Sequence, residues 1–197
     1  MSKGTLFIIS GPSGTGKGTV CAELLKKDNI FLSISATTRD KRVGETEGVT
    51  YYYTTEEIFK DMIEKGEMLE YAVYSGNYYG TPKKAVEDML SQGKNVILEI
   101  EVQGALKVKS IMPEAVMIFV VPPSIKELRK RLSERGRESD AEIEKRIETA
   151  KWEFTQSPKY NYVIVNDVLD RCVLETLEII KNENDRQQMI DRLLSEI

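Results

Sequence analysis

Residues 5–19 read TLFIISGPSGTGKGT, and this stretch decides the fold. Residues 5–10 form a continuous apolar run, which is typical of a β-strand buried on both faces of a sheet. The glycine-rich segment 11–18 predicts a turn, and from 19 to 27 apolar residues recur at helical spacing. A strand, a glycine-rich turn and a helix in this order predict a loop that binds phosphate groups.

This loop contains the groups that phosphate binding requires. Its glycines allow successive backbone N–H groups to point towards phosphate oxygens, and the following helix N-terminus adds a partial positive charge. Lys17 is long enough to reach terminal phosphates. Gly18 stands where Ser or Thr commonly holds Mg²⁺, so we expect Thr19 or water in that role. The predicted nucleotide-binding residues are Gly11, Pro12, Ser13, Gly14, Thr15, Gly16, Lys17, Gly18 and Thr19.

The composition of the 197 residues excludes several kinds of chemistry. Histidine is absent, which rules out Ser-His-Asp and Cys-His nucleophiles and histidine-containing zinc sites. We expect Cys21 and Cys172 to be reduced thiols in the core of a cytosolic protein. The first residues show neither a bilayer-spanning segment nor an export signal, so the sequence predicts a cytoplasmic protein without a membrane partner.

The charge pattern favours a small anionic ligand. The formal net charge is −4, and residues 166–197 carry all of it, with eight acidic and four basic residues. An acidic balance argues against non-specific nucleic-acid binding. Local basic clusters remain, such as residues 129–137 with five basic residues and one acid. The partners that the sequence predicts are therefore small molecules rather than nucleic acid.

The remaining pattern predicts an α/β fold with a parallel sheet. Buried strands are expected at 95–101, 115–121 and 160–165, and helices at 82–92, 102–111, 124–135, 140–156 and 169–181 onward. Alternating strands and helices form βαβ units. Residues 35–80 interrupt this rhythm with seven of the nine tyrosines and one short helix near 55–65, which indicates a small β-rich insertion. A short chain with such an insertion suggests a nucleoside monophosphate kinase.

Five further segments allow the sequence to be compared with a specific family. They read SATTRDKRVGE (35–45), GVTY (48–51), SGNYYGT (75–81), EIEVQG (99–104) and IVND (164–167), and they resemble the guanylate kinase family from about residue 5 to about 170. The resemblance implies a three-layer P-loop NTPase fold. It divides the chain into a core (1–34, 82–123 and 159–197), a GMP-binding insertion (35–81) and a helical lid (124–158). It also implies transfer of the γ-phosphoryl group of ATP to GMP with Mg²⁺, a step of purine salvage and GTP supply.

The insertion carries all but one of the expected GMP-binding residues. Arg39 and Arg42 can clamp a phosphate dianion with charge-assisted hydrogen bonds, and tyrosine hydroxyls can donate to the same oxygens. The resemblance assigns to Glu70 the recognition of guanine, whose N1–H and N2–H₂ donors a carboxylate can accept together. The expected set is Ser35, Arg39, Arg42, Tyr51, Glu70, Tyr79, Thr81 and Glu101.

Glu99 and Glu101 are two residues apart on a predicted strand, so we expect their side chains on one face. The carboxyl end of a parallel strand opens into the ligand crevice. We therefore expect Glu101 beside the guanine or its arginine clamp and Glu99 near the water ligands of the metal. The family often has Asp at both positions, and the longer side chains here change the reach of each carboxylate.

The lid supplies the expected catalytic arginines. Arg131 and Arg135 are four residues apart on one helix, and Arg146 lies on the next. Arginines delivered by a closing lid neutralise charge on the transferring phosphoryl group. By resemblance, the catalytic residues are Lys17, Arg42, Arg131, Arg135 and Arg146. Asn166 and Asp167 resemble the segment beside the adenine of ATP, although this pair is also common turn chemistry.

Two other functions stay open at the level of sequence. Guanylate-kinase-like scaffolding modules share the fold but bind peptides without turnover, and they typically have a damaged phosphate loop, whereas this loop is intact. A kinase for another monophosphate would not use Glu70 for base recognition. The apolar stripe of residues 169–197 is expected to pack on the sheet, and a monomer and a homodimer are both compatible with it.

Overall fold

The computed structural model describes residues 3–74, 76–134 and 139–194. Within these residues, five parallel strands form the central sheet in the order β2-β7-β1-β8-β9. The strands are β1 (Leu6–Ser10), β2 (Ile30–Leu32), β7 (Asn95–Glu99), β8 (Val116–Val121) and β9 (Tyr162–Val165). The sheet and the helices that cover it confirm the predicted α/β class.

Helices cover both faces of this sheet. The helices are α1 (Lys17–Leu24), α3 (Lys83–Ser91), α4 (Val102–Ile111), α5 (Ile125–Glu134), α6 (Asp140–Thr155) and α7 (Leu169–Leu194). One face packs against α1 and α7, and the other packs against α3 and α4. Strand β1 lies between β7 and β8, and each of its five residues is buried. The loop that follows β1 is therefore held at the centre of the carboxyl edge.

A second sheet accounts for the β-rich segment. Among the described residues it has four strands in the order β4-β3-β6-β5. They are β3 (Ala36–Thr37), β4 (Tyr52–Tyr53), β5 (Met68–Tyr74) and β6 (Asn77–Pro82). Helix α2 (Glu56–Glu64) begins after Thr55, whose hydroxyl caps it by accepting a hydrogen bond from the N–H of Ile58 at 3.2 Å. Phe59 is buried between α2 and this sheet.

The predicted strand 95–101 is too long. Strand β7 ends at Glu99, and Glu101 is the N-cap of α4, whose first helical hydrogen bond runs from the N–H of Ala105 to the carbonyl of Glu101. The expectation that Glu99 and Glu101 share one strand face is therefore wrong, because the chain turns into a helix between them. Helix α1 also begins at Lys17, two residues earlier than the apolar spacing indicates.

The apolar stripe of the last helix packs only in part. Val173 and Ile180 are buried against the sheet as expected, but Met189, Ile190 and Leu193 are exposed. Helix α7 has 26 residues, about 39 Å at the helical rise, whereas a five-residue strand spans only about 17 Å. The helix is therefore longer than the sheet surface on which it packs. Cys21 and Cys172 are free and buried, as the sequence predicts.

Candidate active site

The phosphate loop connects β1 to α1 with a strongly constrained backbone. Gly11, Gly14 and Gly16 all have positive φ angles, of 140°, 91° and 87°. The Thr15 hydroxyl donates to the carbonyl of Pro12 at 3.0 Å and fixes the turn. The ammonium of Lys17 donates to the carbonyls of Gly11 and Pro12 at 2.6 and 2.9 Å. The loop thus holds its lysine at the site where phosphates are expected.

Asn166 supports the loop from the other side. Its side-chain amide donates to the carbonyl of Thr15 at 2.8 Å, and its own N–H donates to Val121 at 2.8 Å. A Cβ on Gly16 would lie only 2.5 Å from the Asn166 amide nitrogen. This close approach, together with the positive φ, requires glycine at position 16. Asn166 therefore acts as a brace that fixes the loop to the end of β9.

A cavity of about 430 Å³ opens beside this brace. Its walls come from the phosphate loop, from α1, from the end of α5 and from the start of α7. The lining residues are Gly14, Gly16, Thr19, Arg131, Glu134, Asn166, Asp167 and Leu169. Asp167 accepts a hydrogen bond from the N–H of Val168 at 2.6 Å and pairs with Arg171, so its carboxylate already has two partners.

Three carboxylates lie near enough to Lys17 to act on its charge. Burial lowers the pKa of Lys17, and the negative charges of Glu99, Glu153 and Glu101 oppose this shift. Burial also raises the pKa of Glu99, and Lys17 opposes that shift. The charge of Glu101 reaches Glu70 as well. Lys17 begins α1 and Glu70 lies on β5 of the small sheet. Glu101 lies in the chain between Glu99, which is beside Gly18, and Gly104, which is beside Glu70.

Glu70 lies in a pocket that is built for its carboxylate. The Thr81 hydroxyl donates to Oε1 of Glu70 at 2.8 Å, and Thr81 itself is buried. A Cβ on Gly104 would lie 3.1 Å from Oε2, so the absence of a side chain there makes room for the carboxylate. Burial raises the pKa of Glu70, while the Thr81 hydrogen bond and the charge of Lys107 lower it.

Arg39 is oriented by Glu45. The guanidinium donates to Oε1 of Glu45 at 2.7 Å, and Oε2 accepts from the N–H of Arg42 at 2.7 Å and from the Tyr53 hydroxyl at 2.8 Å. These hydrogen bonds, led by that from Arg39, lower the pKa of Glu45 to about 2. The guanidinium also lies 5.6 Å from the centre of the Tyr51 ring. Glu45 therefore organises the predicted phosphate clamp.

The remaining expected GMP residues fall around this clamp. The Tyr51 and Tyr79 rings meet edge to face with centres 6.0 Å apart. The Arg42 side chain is exposed, beside the loop that Glu45 holds. Ser35 precedes β3 and accepts a hydrogen bond from the N–H of Tyr52 at 2.9 Å. The structure thus brings Arg39, Tyr51 and Tyr79 together.

Two of the three expected lid arginines can be placed. Arg131 donates through Nε to Glu127 at 3.0 Å and lines the 430 Å³ cavity. Arg146, on α6, donates to the hydroxyl of Ser13 at 2.7 Å and so contacts the phosphate loop directly. Arg135 lies outside the described residues, together with the glycine break expected at position 136.

Glu99 and Thr19, the two expected metal residues, have oxygen atoms that suit Mg²⁺, but they do not face the same space. A Cβ on Gly18 would lie 3.5 Å from Oε1 of Glu99, so the missing side chain leaves a space beside that carboxylate. Thr19 lines the cavity near Asn166 instead. Among the described residues no group of three or more acidic or thiol side chains is arranged to hold a metal ion by itself. Mg²⁺ commonly uses one or two carboxylates plus substrate phosphates and water, which fits Glu99.

Sequence reasoning missed three residues of this site. Glu45 and Gly104 lie in two of the segments that carry the family resemblance, but the sequence alone indicates no role for either residue. Glu153 was overlooked although it is a carboxylate on the apolar stripe of α6, beside Ile143, Ile147 and Ala150. A charged residue on a buried stripe is the signal that could have found it.

A central parallel strand, a glycine-rich loop with a lysine, and a helix that starts at that lysine define a P-loop nucleotide-binding enzyme. The comparisons with known proteins narrow this class. The family model "Guanylate kinase" matches residues 3–183. A guanylate kinase of Clostridium tetani is 48% identical over 100% of this chain and 93% of its own length. One of Clostridium perfringens is 50% identical over 98% of this chain and 88% of its own.

A solved structure points the same way. The crystal structure of guanylate kinase from Anaplasma phagocytophilum superposes with a TM-score of 0.73 at 36% identity, covering 92% of this chain and 87% of that one. The chain belongs to the guanylate kinase family and is a kinase. In the part of the chain that the structure describes, the helices are too short or too polar to cross a membrane.

Proposed function

We propose that this protein transfers the γ-phosphoryl group of ATP to GMP and releases ADP and GDP. The observation that carries this function is the course of residues 99–104, because Glu99 lies beside Gly18 at the phosphate loop and Gly104 lies beside the Glu70 carboxylate. Lys17 belongs to the phosphate loop and Glu70 to the small sheet, so two nucleotide sites adjoin at one cleft. A phosphoryl transfer between two nucleotides needs this arrangement, because donor and acceptor must meet in line.

ATP binds on the side of the phosphate loop. The glycine-rich turn offers its backbone N–H groups to the phosphates, and Lys17 moves from its two carbonyl partners to the terminal phosphates. The 430 Å³ cavity receives the nucleoside, with Asn166 and Asp167 on its wall. The Asn166 brace supports this part of the proposal, since it fixes the loop geometry.

GMP binds on the side of the insertion. Arg39 and Arg42 hold its phosphate, and the hydroxyls of Tyr51 and Tyr79 donate to the same oxygens. Glu70 accepts the guanine N1–H and N2–H₂, and Thr81 holds the Glu70 carboxylate in place. Adenine would place a lone pair against the carboxylate, and the buried polar groups would stay unpaired. Ser35 and Glu101 complete the surroundings of the base.

The reaction forms a bond from a GMP phosphate oxygen to the γ-phosphorus and breaks the bond from that phosphorus to the β,γ-bridging oxygen. Lys17 and the lid residues Arg131, Arg135 and Arg146 neutralise the charge that spreads over the transferring group. Arg42 neutralises charge on the phosphate of GMP, the acceptor. Closure of the lid excludes water, so that GMP receives the phosphoryl group.

Mg²⁺ accompanies ATP in this proposal. Glu99, at the end of β7, would hold the ion through water beside Gly18. Thr19, which follows Gly18 on α1, is the second candidate. Bound Mg²⁺ supplies charge neutralisation on the phosphates. The space beside Glu99 supports the first assignment.

The site also supports a division of labour along the chain, with the core at 1–34, 82–123 and 159–197, the GMP-binding insertion at 35–81 and the lid at 124–158. The four strands of the small sheet all lie at 36–82. Helices α5 and α6 share a separate apolar cluster that includes Leu128, Leu132 and Ile147. We place the enzyme in the cytoplasm, where ATP, GMP and reduced thiols occur together.

The test of this function is the stoichiometry of products. Incubation with ATP, GMP and Mg²⁺, followed by ³¹P NMR, is expected to show one GDP for each ADP. The Lys17→Ala variant should form neither. ADP without GDP would indicate an ATPase, and no product from folded protein would favour a peptide-binding module; either result contradicts the proposal.

A further inference from the structure

One hydroxyl of the phosphate loop contacts the lid. Ser13 lies between Pro12 and Gly14, and its side chain is exposed. The Ser13 hydroxyl accepts a hydrogen bond from Nη1 of Arg146 at 2.7 Å, across 133 positions of sequence. The other hydroxyl of this turn, that of Thr15, donates to the carbonyl of Pro12 within the loop. Thr15 therefore fixes the turn itself, whereas Ser13 joins the turn to helix α6.

Helices α5 and α6 hold Arg146 beside this hydroxyl. The two helices share a buried apolar cluster that includes Ile147, the residue after Arg146. The Arg129 guanidinium on α5 also pairs with the Glu144 carboxylate on α6, with 3.0 Å between Nη2 and Oε2. The backbone of Arg146 is thus fixed within a packed pair of helices, and its long side chain reaches from there to the loop.

The same pair of helices packs on the loop next to Ser13. A Cβ on Gly14 would lie 3.0 Å from Cδ1 of Leu128 and 3.0 Å from Cδ2 of Leu132. Both leucines are buried. Helix α5 therefore rests directly on Gly14, and this apolar contact sets the distance between the lid and the loop. The adjacent hydroxyl of Ser13 then sets the direction of the Arg146 guanidinium.

Two cations hold adjacent residues of the loop. The Lys17 ammonium donates to the carbonyl of Pro12 at 2.9 Å, and the Arg146 guanidinium donates to the hydroxyl of Ser13, the next residue. The loop thus brings two positive groups from different helices to neighbouring points. Stabilisation of a transferring phosphoryl group depends on positive groups that are already in place. A residue that orients one of them therefore affects the rate of transfer.

We propose that Ser13 is a positioning residue of the phosphoryl transfer, whose hydroxyl orients the Arg146 guanidinium towards the donor phosphates. The proposal rests on the function proposed above. A hydrogen bond from a charged donor is stronger than one between neutral groups, which suits a hydroxyl to this task. The backbone N–H groups of the loop bind phosphates whichever side chain stands at position 13. Removal of the hydroxyl therefore leaves ATP binding in place and misdirects the arginine.

The variants that test this proposal are Ser13→Ala, Ser13→Thr, Arg146→Ala and the double variant Ser13→Ala with Arg146→Ala. Alanine removes the hydroxyl, and threonine keeps it. The control is Ser133→Ala, because Ser133 is an exposed serine of the lid whose hydroxyl donates to the carbonyl of Arg129 at 2.9 Å. Each protein is assayed with ATP, GMP and Mg²⁺ for kcat and for KM of both substrates. Single-turnover rates with enzyme in excess measure the slow variants, and Tm checks the fold.

Positioning predicts a loss of kcat that depends on Arg146. Ser13→Ala should lower kcat by ~10-fold while KM for ATP changes less than about 3-fold. Ser13→Thr should keep most of the wild-type kcat, and Ser133→Ala should match the wild type. When Arg146 is already alanine, Ser13→Ala should cause no further loss, because the two residues act as one unit. A merely structural role of Ser13 would lower the rate by the same factor with and without Arg146.

A wild-type kcat in Ser13→Ala would overturn the proposal, and so would an equal loss in the two backgrounds. If Ser13→Ala does not fold, Ser13→Cys replaces it, because a thiol is similar in shape and is only a weak acceptor. Failure of both variants to fold would show that the hydroxyl serves the fold of the loop, which also overturns the proposal. Failure of the function itself looks different, because the wild type would then give no GDP, and the role of Ser13 would fall with it.

Discussion

The Thr81 hydroxyl donates a 2.8 Å hydrogen bond to Oε1 of Glu70, and this contact fixes one carboxylate oxygen while the other faces Gly104. Thr81 lies on β6 and Glu70 on β5, and the two residues are paired across these strands. The carboxylate is therefore held before any nucleotide arrives. Preorganisation of this kind makes base selection a property of the small sheet.

The first prediction concerns this carboxylate. Glu70→Gln replaces one acceptor oxygen by a donor that opposes the guanine N–H groups. We expect kcat/KM for GMP to fall by ~100-fold, about 2.7 kcal/mol. Glu67→Gln, an exposed carboxylate before the same strand, should leave it unchanged. An unaltered GMP preference in Glu70→Gln would disprove the assignment of base recognition.

The second prediction separates stability from binding at Gly104. The new methyl of Gly104→Ala would stand 3.1 Å from Oε2 of Glu70 and displace the carboxylate. We expect KM for GMP to rise by ~5- to 10-fold, although alanine is the better helix former by roughly 0.5–1 kcal/mol. Steady-state kinetics and Tm measured together test this. A raised KM with a lowered Tm would instead indicate general disruption of α4, and Ser110→Ala on that helix serves as control.

The third prediction follows from the brace of the phosphate loop. Asn166→Ala removes the 2.8 Å hydrogen bond to Thr15 and should raise KM for ATP by ~10-fold while KM for GMP stays constant. The matched control is Asn161→Ala, which removes a 2.8 Å hydrogen bond to the N–H of Met117 away from the loop. Equal effects of the two variants on KM for ATP would contradict a specific role of Asn166.

The fourth prediction uses the low pKa of Glu45. The folded-state pKa is about 2 against an ordinary value of 4.5. A depressed carboxyl pKa contributes stability above the ordinary value and loses it as pH falls through the folded value. The Tm of Glu45→Gln should therefore lie below that of the wild type at pH 7, and the gap should close between about pH 5 and 2. A gap independent of pH would refute this, and Glu64→Gln is the control.

The fifth prediction concerns Glu153, a carboxyl group whose pKa is raised rather than lowered. Glu153 has a folded-state pKa of about 7, above its ordinary 4.5, so its contribution to stability is greatest below 4.5 and is lost as pH rises through 7. Glu153→Gln should be more stable than the wild type at pH 8, by on the order of 1–2 kcal/mol after allowance for solvent screening. The gain should shrink by pH 5. Urea unfolding at both pH values tests it, and a loss at pH 8 would contradict it.

The sequence is most informative where the pattern is local. The buried run before Gly11 and the lysine after Gly16 predict the strand, the loop and the helix, because glycine, charge and apolar spacing act within a few residues. The family resemblance was needed for Glu70, Arg39 and Tyr79, because the small sheet brings together residues that are far apart in sequence.

Other secondary-structure elements cannot be predicted from the spacing of apolar residues. Strands β2, β3 and β4 have three, two and two residues, which is too few for an alternating pattern. The run 95–101 continues to alternate after the strand ends, so Glu101 was placed on β7 rather than at the start of α4. The apolar stripe of α6 includes Glu153, but only the fold shows that this carboxylate is buried.

The central claim is that the enzyme phosphorylates GMP in preference to other monophosphates, and coupled ADP release with ATP and Mg²⁺ tests it most directly. GMP, AMP, UMP and CMP are offered separately to the wild type and to Lys17→Ala. We predict turnover with GMP alone, lost in Lys17→Ala. Turnover of similar efficiency with AMP, UMP or CMP, or none with GMP from folded protein, would contradict the account.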